Sequence, residues 1–249
     1  MLLTERNIEA GIFLADKPAG ISSFKVVSRL RRILGIKKVG HAGTLDPFAT
    51  GLLVLCAGRT ATKLIDRMMT GEKEYLATLR LGIETTTQDP EGQIIATRSV
   101  GAISNEQIEA CLASFAGEQL QQPPAFSALK YHGKPLYFYA RKGIEIKKEP
   151  RLIEIKAICR VGGAGLVDDE NAEFSFRVTC SKGTYIRALA ADIGQRLGCG
   201  GYLVGLRRMR SGRFAIDNSL TWDDLSAEDA YERCCLKMIN VSDVWKLLQ

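Results

Sequence analysis

Gly40-His-Ala-Gly-Thr-Leu-Asp-Pro-Phe-Ala-Thr-Gly51 runs directly into Leu52-Leu-Val-Leu-Cys56, and the pair of stretches sets the character of the chain. Glycines at 40, 43 and 51 permit tight backbone in the first stretch, while the unbroken apolar run of the second reads as a buried strand. Asp46 lies in the turn-rich part and is the only carboxylate between Lys17 and Ile65. The same window carries Lys17, Lys25, Arg29, Arg31, Arg32, Lys37, Lys38, Arg59 and Lys63, so one acid stands in a long field of positive charge. Against a polyanion, a free carboxylate in that field weakens binding unless it has another task, which makes Asp46 the first candidate for chemistry. Taken alone, an aspartate before Pro47 also reads as a turn residue.

Upstream, Gly11 to Asp16 reads as a strand stopped by Pro18 and Gly20. Ser22 or Ser23 caps a helix ending near Gly35, with Phe24, Val27, Leu30 and Ile33 on one face and Lys25, Arg29 and Arg32 on the other. Downstream, Ala61 to Met69 reads as a short helix, and Tyr75, Ala77, Leu79 and Leu81 alternate as in a half-buried strand. Gln88 to Gly92 is a turn. Ser104-Asn-Glu-Gln107 fits a capping box before a helix bearing Ile108, Cys111, Leu112 and Phe115. Two prolines make 121–130 a long loop. Strands are expected over 152–159 and 174–180, and an amphipathic helix over 184–197. Strands and helices interleave without a regular βαβ period, so the class is α+β.

At 249 residues, 46% hydrophobic and 25% charged, the chain has the makeup of an ordinary globular protein able to bury a sizeable core. No apolar run reaches membrane-spanning length, and residues 1–6 lack the pattern of a signal peptide, so the cytoplasm is the expected compartment. Seven scattered cysteines with no C-x-x-C pair argue against a disulfide frame or a zinc ribbon. With His41 and His132 the only histidines, no metal site is expected, and no cofactor-binding loop is found. The net charge of +6 is uneven. Lys182, Arg187, Arg196, Arg207, Arg208, Arg210 and Arg213 face only Asp192 in a second basic region, whereas the tail carries Asp217, Asp223, Asp224, Glu228, Asp229, Glu232 and Asp243. Two basic regions and an acidic tail turned elsewhere suit a nucleic-acid binder.

Several separated blocks resemble the bacterial tRNA pseudouridine-55 synthases: the Gly40–Gly51 segment, Gly58-Arg-Thr-Ala-Thr-Lys63, Leu14-Ala-Asp-Lys-Pro-Ala-Gly20, Lys73-Glu-Tyr75, Pro124-Ala-Phe-Ser-Ala-Leu-Lys130 and Cys180-Ser-Lys-Gly-Thr-Tyr-Ile-Arg187. Their order and spacing are those of the family from about residue 11 to residue 210. The resemblance implies a largely antiparallel sheet flanked by helices, with a central RNA-binding cleft. It implies isomerisation of a uridine in the T-loop of tRNA, with base flipping, glycosidic cleavage and carbon–carbon bond formation. Asp46 is then the catalytic residue, Tyr75 lies against the base, and Arg187 pairs with the aspartate and keeps it ionised. Tyr185 and Leu206 match pocket positions, His41 helps hold the everted nucleotide, and Lys63 and Lys130 meet phosphates or fix the pocket. Read without the family, Tyr75, Tyr185 and Leu206 are core residues, and Arg187, Lys63 and Lys130 surface charges.

The catalytic domain is placed at 1–215 and a short acidic C-terminal segment at 216–249, too short for the RNA-binding module of longer relatives; a weaker grip on the acceptor side of tRNA is expected. A monomer acting on the T-arm without an obligatory protein partner fits these features. Three rivals stand beside this: a tRNA-folding chaperone that does not need Asp46, the catalytic subunit of a guided ribonucleoprotein, and a metal hydrolase using His41 and Asp46.

Overall fold

The computed structural model describes residues 8–144, 146, 148–163 and 165–249. The reading of residues 1–6 as lacking a signal peptide lies outside the described residues. The chain forms two compact units, one holding the chain up to Tyr75 and again from Arg207 to Gln249, the other Leu76–Leu206.

In chain order the first unit begins with β1 (Gly11–Lys17), α1 (Ser23–Leu34), β2 (Val39–His41), β3 (Thr50–Ala57), α2 (Arg59–Thr62) and α3 (Ile65–Met68). Strand β4 (Lys73–Leu81) leads into the second unit, with β5 (Ile83–Thr85), β6 (Ile94–Thr97), α4 (Asn105–Ala113), β7 (Gly117–Gln121), β8 (Lys130–Tyr131), β9 (Lys134–Pro135), α5 (Leu136–Ala140), β10 (Arg151–Val161), β11 (Glu173–Cys180) and α6 (Ile186–Arg196). Strand β12 (Gly201–Ser211) returns to the first, followed by β13 (Phe214–Ala215), α7 (Trp222–Ser226), α8 (Ala230–Lys237) and α9 (Val241–Leu247). The architecture is α+β, as expected.

In the first unit β3 is the central strand. It pairs antiparallel with β1, Gly11 opposite Ala57 and Lys17 opposite Gly51, antiparallel with β2, and parallel with β12 at Thr50 and Gly51. Because strand side chains alternate, β1 and β3 feed two apolar layers. Phe13, Ala15, Leu53 and Leu55 pack with Val26, Val27 and Leu30 of α1 and with Leu220, Leu225 and Cys234. Ile12, Leu14, Leu52, Val54 and Cys56 pack on the other face with Leu64, Met68, Phe214 and Val244. A strand covered on both faces reads as a continuous apolar run, which is what 52–56 shows.

The 216–249 segment supplies part of both layers and also closes the outer edge of β1. Ile12 and Ile239 exchange backbone hydrogen bonds at 2.9 Å in each direction, and Asp16 N–H donates to the Leu220 carbonyl at 2.8 Å. Part of the acidity of this segment is structural. Asp224 closes a capping box with Thr221 at the start of α7 and takes Arg233 at 2.7 Å and Lys237 at 3.3 Å.

The second unit orders its strands β12-β4-β11-β10-β7. Strand β10 runs antiparallel to β11 and to β7, with a register shift between Ile155 and Ala157. The alternation of β4 and the Ser104–Gln107 capping box are both present.

Three expectations change. Phe24 is 63% exposed, beneath the Arg31 guanidinium, rather than on the buried face of α1. Val26, two residues on and so nearly opposite around the helix, takes the core position. The helix expected over Ala61–Met69 is two four-residue helices: Leu64 N–H reaches back only three residues to Ala61, and the Thr62 hydroxyl bonds the Arg59 carbonyl at 3.1 Å. The eleven-residue β12 occupies what reads as a basic region, and Arg208 within it is 1% exposed.

Candidate active site

Asp46 sits half-buried on the loop between β2 and β3. The loop is held at alternate carbonyls by three buried polar side chains. Arg208 donates from Nη2 to Gly43 at 3.0 Å and from Nε to Leu52 at 2.7 Å. Ser23, the first residue of α1, donates to the Leu45 carbonyl at 2.9 Å and accepts from the Leu45 N–H at 2.9 Å. Lys17 Nζ, fully buried, donates to Pro47 at 3.1 Å as well as to Pro18 and Ile21. Backbone bonds complete the frame: Ala42 N–H to Val54, Ala49 N–H to Asp46 and Gly20 N–H to Pro47. Gly51, at φ 99°, lets β12 come close, since a Cβ there would collide with the Arg208 backbone.

These bonds change the reading of the charge field. Lys17 and Arg208 are buried and bound to carbonyls, Arg207 forms a bidentate pair with Asp16, and Arg210 lies beside Glu72 and Glu74. Lys25, Arg32, Lys37, Lys38, Arg59 and Lys63 are the exposed cations of the first region.

His41, at the end of β2, has its pKa lowered by burial first and by the Arg208 charge second, so its ring is neutral at pH 7. Its Nδ1 is buried with no hydrogen-bond partner among the described residues. Lys63 lines a cavity of about 320 Å³ with Lys38, Val39, Gly40, Thr62 and Ile65. Tyr75 is 7% exposed on β4. Burial pushes the Cys56 thiol up to about 12, which leaves it inert as a nucleophile. His41, Asp46, Lys63 and Tyr75 all belong to the first unit.

Tyr185, Arg187 and Leu206 belong to the second. Arg187, in the first turn of α6, is 4% exposed, not a surface charge. It donates to the Thr87 carbonyl at 2.6 Å and the Phe126 carbonyl at 2.7 Å, and lies 3.5 Å from the Asp89 carboxylate. Asp89 is itself 3% exposed, in a turn where it accepts from the Thr87 hydroxyl and from Glu91 N–H. Tyr185 caps α6, and its backbone is bound by Gln121. Leu206 is buried on β12. Sequence reasoning passes over Ser23, Asp89, Gln121 and the inward role of Arg208. Asp89 carried a signal only as a turn residue, and Ser23 only as a candidate cap. Among the described residues no group of three or more His, Cys, Asp or Glu side chains is placed to hold a metal ion.

The model for the TruB family pseudouridylate synthase N-terminal domain matches residues 31–186. The chain belongs to the TruB family. A second model, for the C-terminal domain of tRNA pseudouridylate synthase B, matches residues 187–239. Among TruB relatives, the protein named tRNA pseudouridine synthase B of Desulfotalea psychrophila is 60% identical over 247 residues, covering 99% of this chain and 100% of its own. The protein of the same name from Burkholderia pseudomallei is 47% identical over 223 residues, 90% of this chain and 71% of its own. In solved structures the fold is similar to a crystal structure of a Cbf5-Nop10-Gar1 complex, with a TM-score of 0.68 at 28% identity over 93% of this chain. It is also similar to the archaeal box H/ACA Nop10-Cbf5 complex, with a TM-score of 0.67 at 28% identity over 95%. This chain spans about 60% of those two solved chains. No helix of the described residues is long and apolar enough to cross a membrane.

Proposed function

We propose that this chain converts the uridine at position 55, in the T-loop of tRNA, to pseudouridine, and that Asp46 is its catalytic carboxylate. Membership of the TruB family carries the reaction class, isomerisation of uridine to pseudouridine in tRNA. The observation that supports Asp46 is the loop on which it sits: side chains bind the carbonyls of Gly43, Leu45 and Pro47, which fixes the backbone on both sides of one half-buried acid. Rigid support of this kind is what a reacting group requires.

The N1–C1′ bond breaks, the uracil turns, and C5 bonds to C1′ while its proton is lost and N1 gains one, so product and substrate are isomers. A carboxylate can serve by adding to the base, by attacking C1′, or by assisting elimination to a glycal. Tyr75 and Tyr185 stack or border the base, Leu206 packs against it, and Arg187 serves substrate binding. His41 holds the everted nucleotide and Lys63 meets a phosphate. Extruding a stacked base costs a few kcal/mol, which contacts to the flanking phosphates offset. The enzyme acts in the cytoplasm as a monomer without a guide.

The likeness to a Cbf5-containing complex supports a second reading, a subunit that depends on partners. One experiment separates them. Purified protein is incubated with an unmodified tRNA transcript, no RNA or protein added, and pseudouridine is mapped by position. Product at position 55, absent with Asp46→Asn although that variant still binds tRNA, is the expected result. Product elsewhere, product from Asp46→Asn, or activity only with added partners overturns the proposal.

A further inference from the structure

We infer that Ser23 is a positioning residue for the reaction, setting the place of the Asp46 carboxylate through the peptide of Leu45; the inference rests on the reading of Asp46 as the reacting group. Ser23 is 2% exposed and forms two hydrogen bonds to one residue, donating to the Leu45 carbonyl and accepting from the Leu45 N–H, both at 2.9 Å. A hydroxyl supplies one donor and two acceptor sites, so it can meet both polar groups of one residue at once. Leu45 directly precedes Asp46, and its carbonyl belongs to the peptide that carries the Asp46 N–H. Leu45 is itself 3% exposed, so neither group has water as an alternative partner.

Ser23 is well placed to act as a fixed reference. Its backbone begins α1, whose start is set by the Ser22 cap: the Ser22 hydroxyl accepts from Lys25 N–H at 3.2 Å. Helix α1 is seated on β1 and β3 through Val26, Val27 and Leu30. The rigidity of that layer therefore reaches the loop through one oxygen atom. Lys17 and Arg208 grip the same loop two residues to either side, at Pro47 and Gly43, but each holds a carbonyl only. Ser23 alone among the three also holds an N–H, which opposes rotation of the backbone at Leu45 and so re-aiming of the next side chain. Its hydroxyl is turned inward and spent on these bonds, so it takes no part in proton transfer.

The test compares Ser23→Ala and Ser23→Cys with Leu225→Ala, a truncation in the apolar layer under α1, a cluster that includes no buried residue of the 42–49 loop. Cysteine fills the serine volume but hydrogen-bonds weakly, so it keeps the test open should the alanine variant fold poorly. Single-turnover conversion with enzyme in excess, tRNA Kd and Tm are measured for each. A misplaced reacting group predicts a fall in the single-turnover rate of about 10²-fold in both Ser23 variants. Unchanged RNA contacts predict a Kd within about threefold of the parent. A purely structural role predicts lower Tm but a rate equal to that of Leu225→Ala at matched folded fraction, and that result overturns the inference. Asp46→Asn is run in parallel. If it still makes product the catalytic reading falls; if it is inactive while both Ser23 variants keep full rate, only the present inference falls.

Discussion

Gln121 holds the backbone of Tyr185 from both sides, its Nε2 donating to the tyrosine carbonyl at 3.0 Å and its Oε1 accepting from the tyrosine N–H at 2.8 Å. The last residue of β7 thereby fixes the entry to α6, two residues before Arg187. Replacing Gln121 with alanine leaves a donor and an acceptor without their protein partner, which costs about 1–3 kcal/mol. Denaturant melts of Gln121→Ala should show a lower midpoint at unchanged m. Gln121→Glu should also lose stability, because a carboxylate cannot donate to the Tyr185 carbonyl.

Arg208 offers a sharper case. It is 1% exposed and its guanidinium binds carbonyls from two segments, Gly43 and Leu52. Lysine carries the charge but not the planar fork, so Arg208→Lys cannot reproduce both bonds. A loss of about 2–4 kcal/mol is expected, since a buried cation would be left poorly paired. Thermal unfolding of Arg208→Lys and Arg208→Met measures it, and stability equal to the parent in Arg208→Lys would refute the account.

Gly51→Ala should be more damaging than its size suggests. Gly51 has φ 99°, and an added Cβ would stand 2.7 Å from the Arg208 amide nitrogen. Strain of about 1–3 kcal/mol from the backbone conformation adds to a clash with rigid main chain. Poor recovery of folded protein or a steep fall in Tm is the expected result; a Tm within a degree or two of the parent counts against the geometry.

His41 links stability to pH. Its folded pKa is lowered by burial and by Arg208, so between the folded and unfolded values the unfolded chain binds the extra proton. The histidine contribution is therefore complete above the unfolded value, near pH 6.5, and is lost as pH falls through the window below it. Chemical denaturation of the parent and of His41→Gln at several pH values between 7 and 5 should show a smaller slope in the variant. Identical slopes would mean that His41 titrates alike in both states.

Much of this was legible in the chain itself, and the limits are physical. Strands β1, β3, β4, β10 and β11 announce themselves because their side chains either alternate or run apolar throughout. Helix α1 is legible at both ends, from Ser22 and from Gly35 in the left-handed conformation. Strand β12 is not, because Gly201 and Gly205 remove pattern and Arg207, Arg208 and Arg210 mimic a solvated surface, although Arg208 points inward. Asp46 stands out by its isolation among cations and by the family blocks around it. Ser23 and Gln121 do not: their partners lie 22 and 64 positions away, and neither bond leaves a mark in local sequence. Polar burial is decided by who arrives opposite, which only the assembled fold reveals.

The seal that Leu220 and Ile239 place on β1 gives the fold a schedule. During synthesis β1 and β3 leave the ribosome early, yet the outer edge of β1 keeps its unpaired N–H and C=O groups until the segment that covers them has been made. An open strand edge is a template for pairing with another chain, so the nascent protein passes through an interval in which its first strand is exposed to partners of the wrong kind. Slow translation late in the message would prolong that interval.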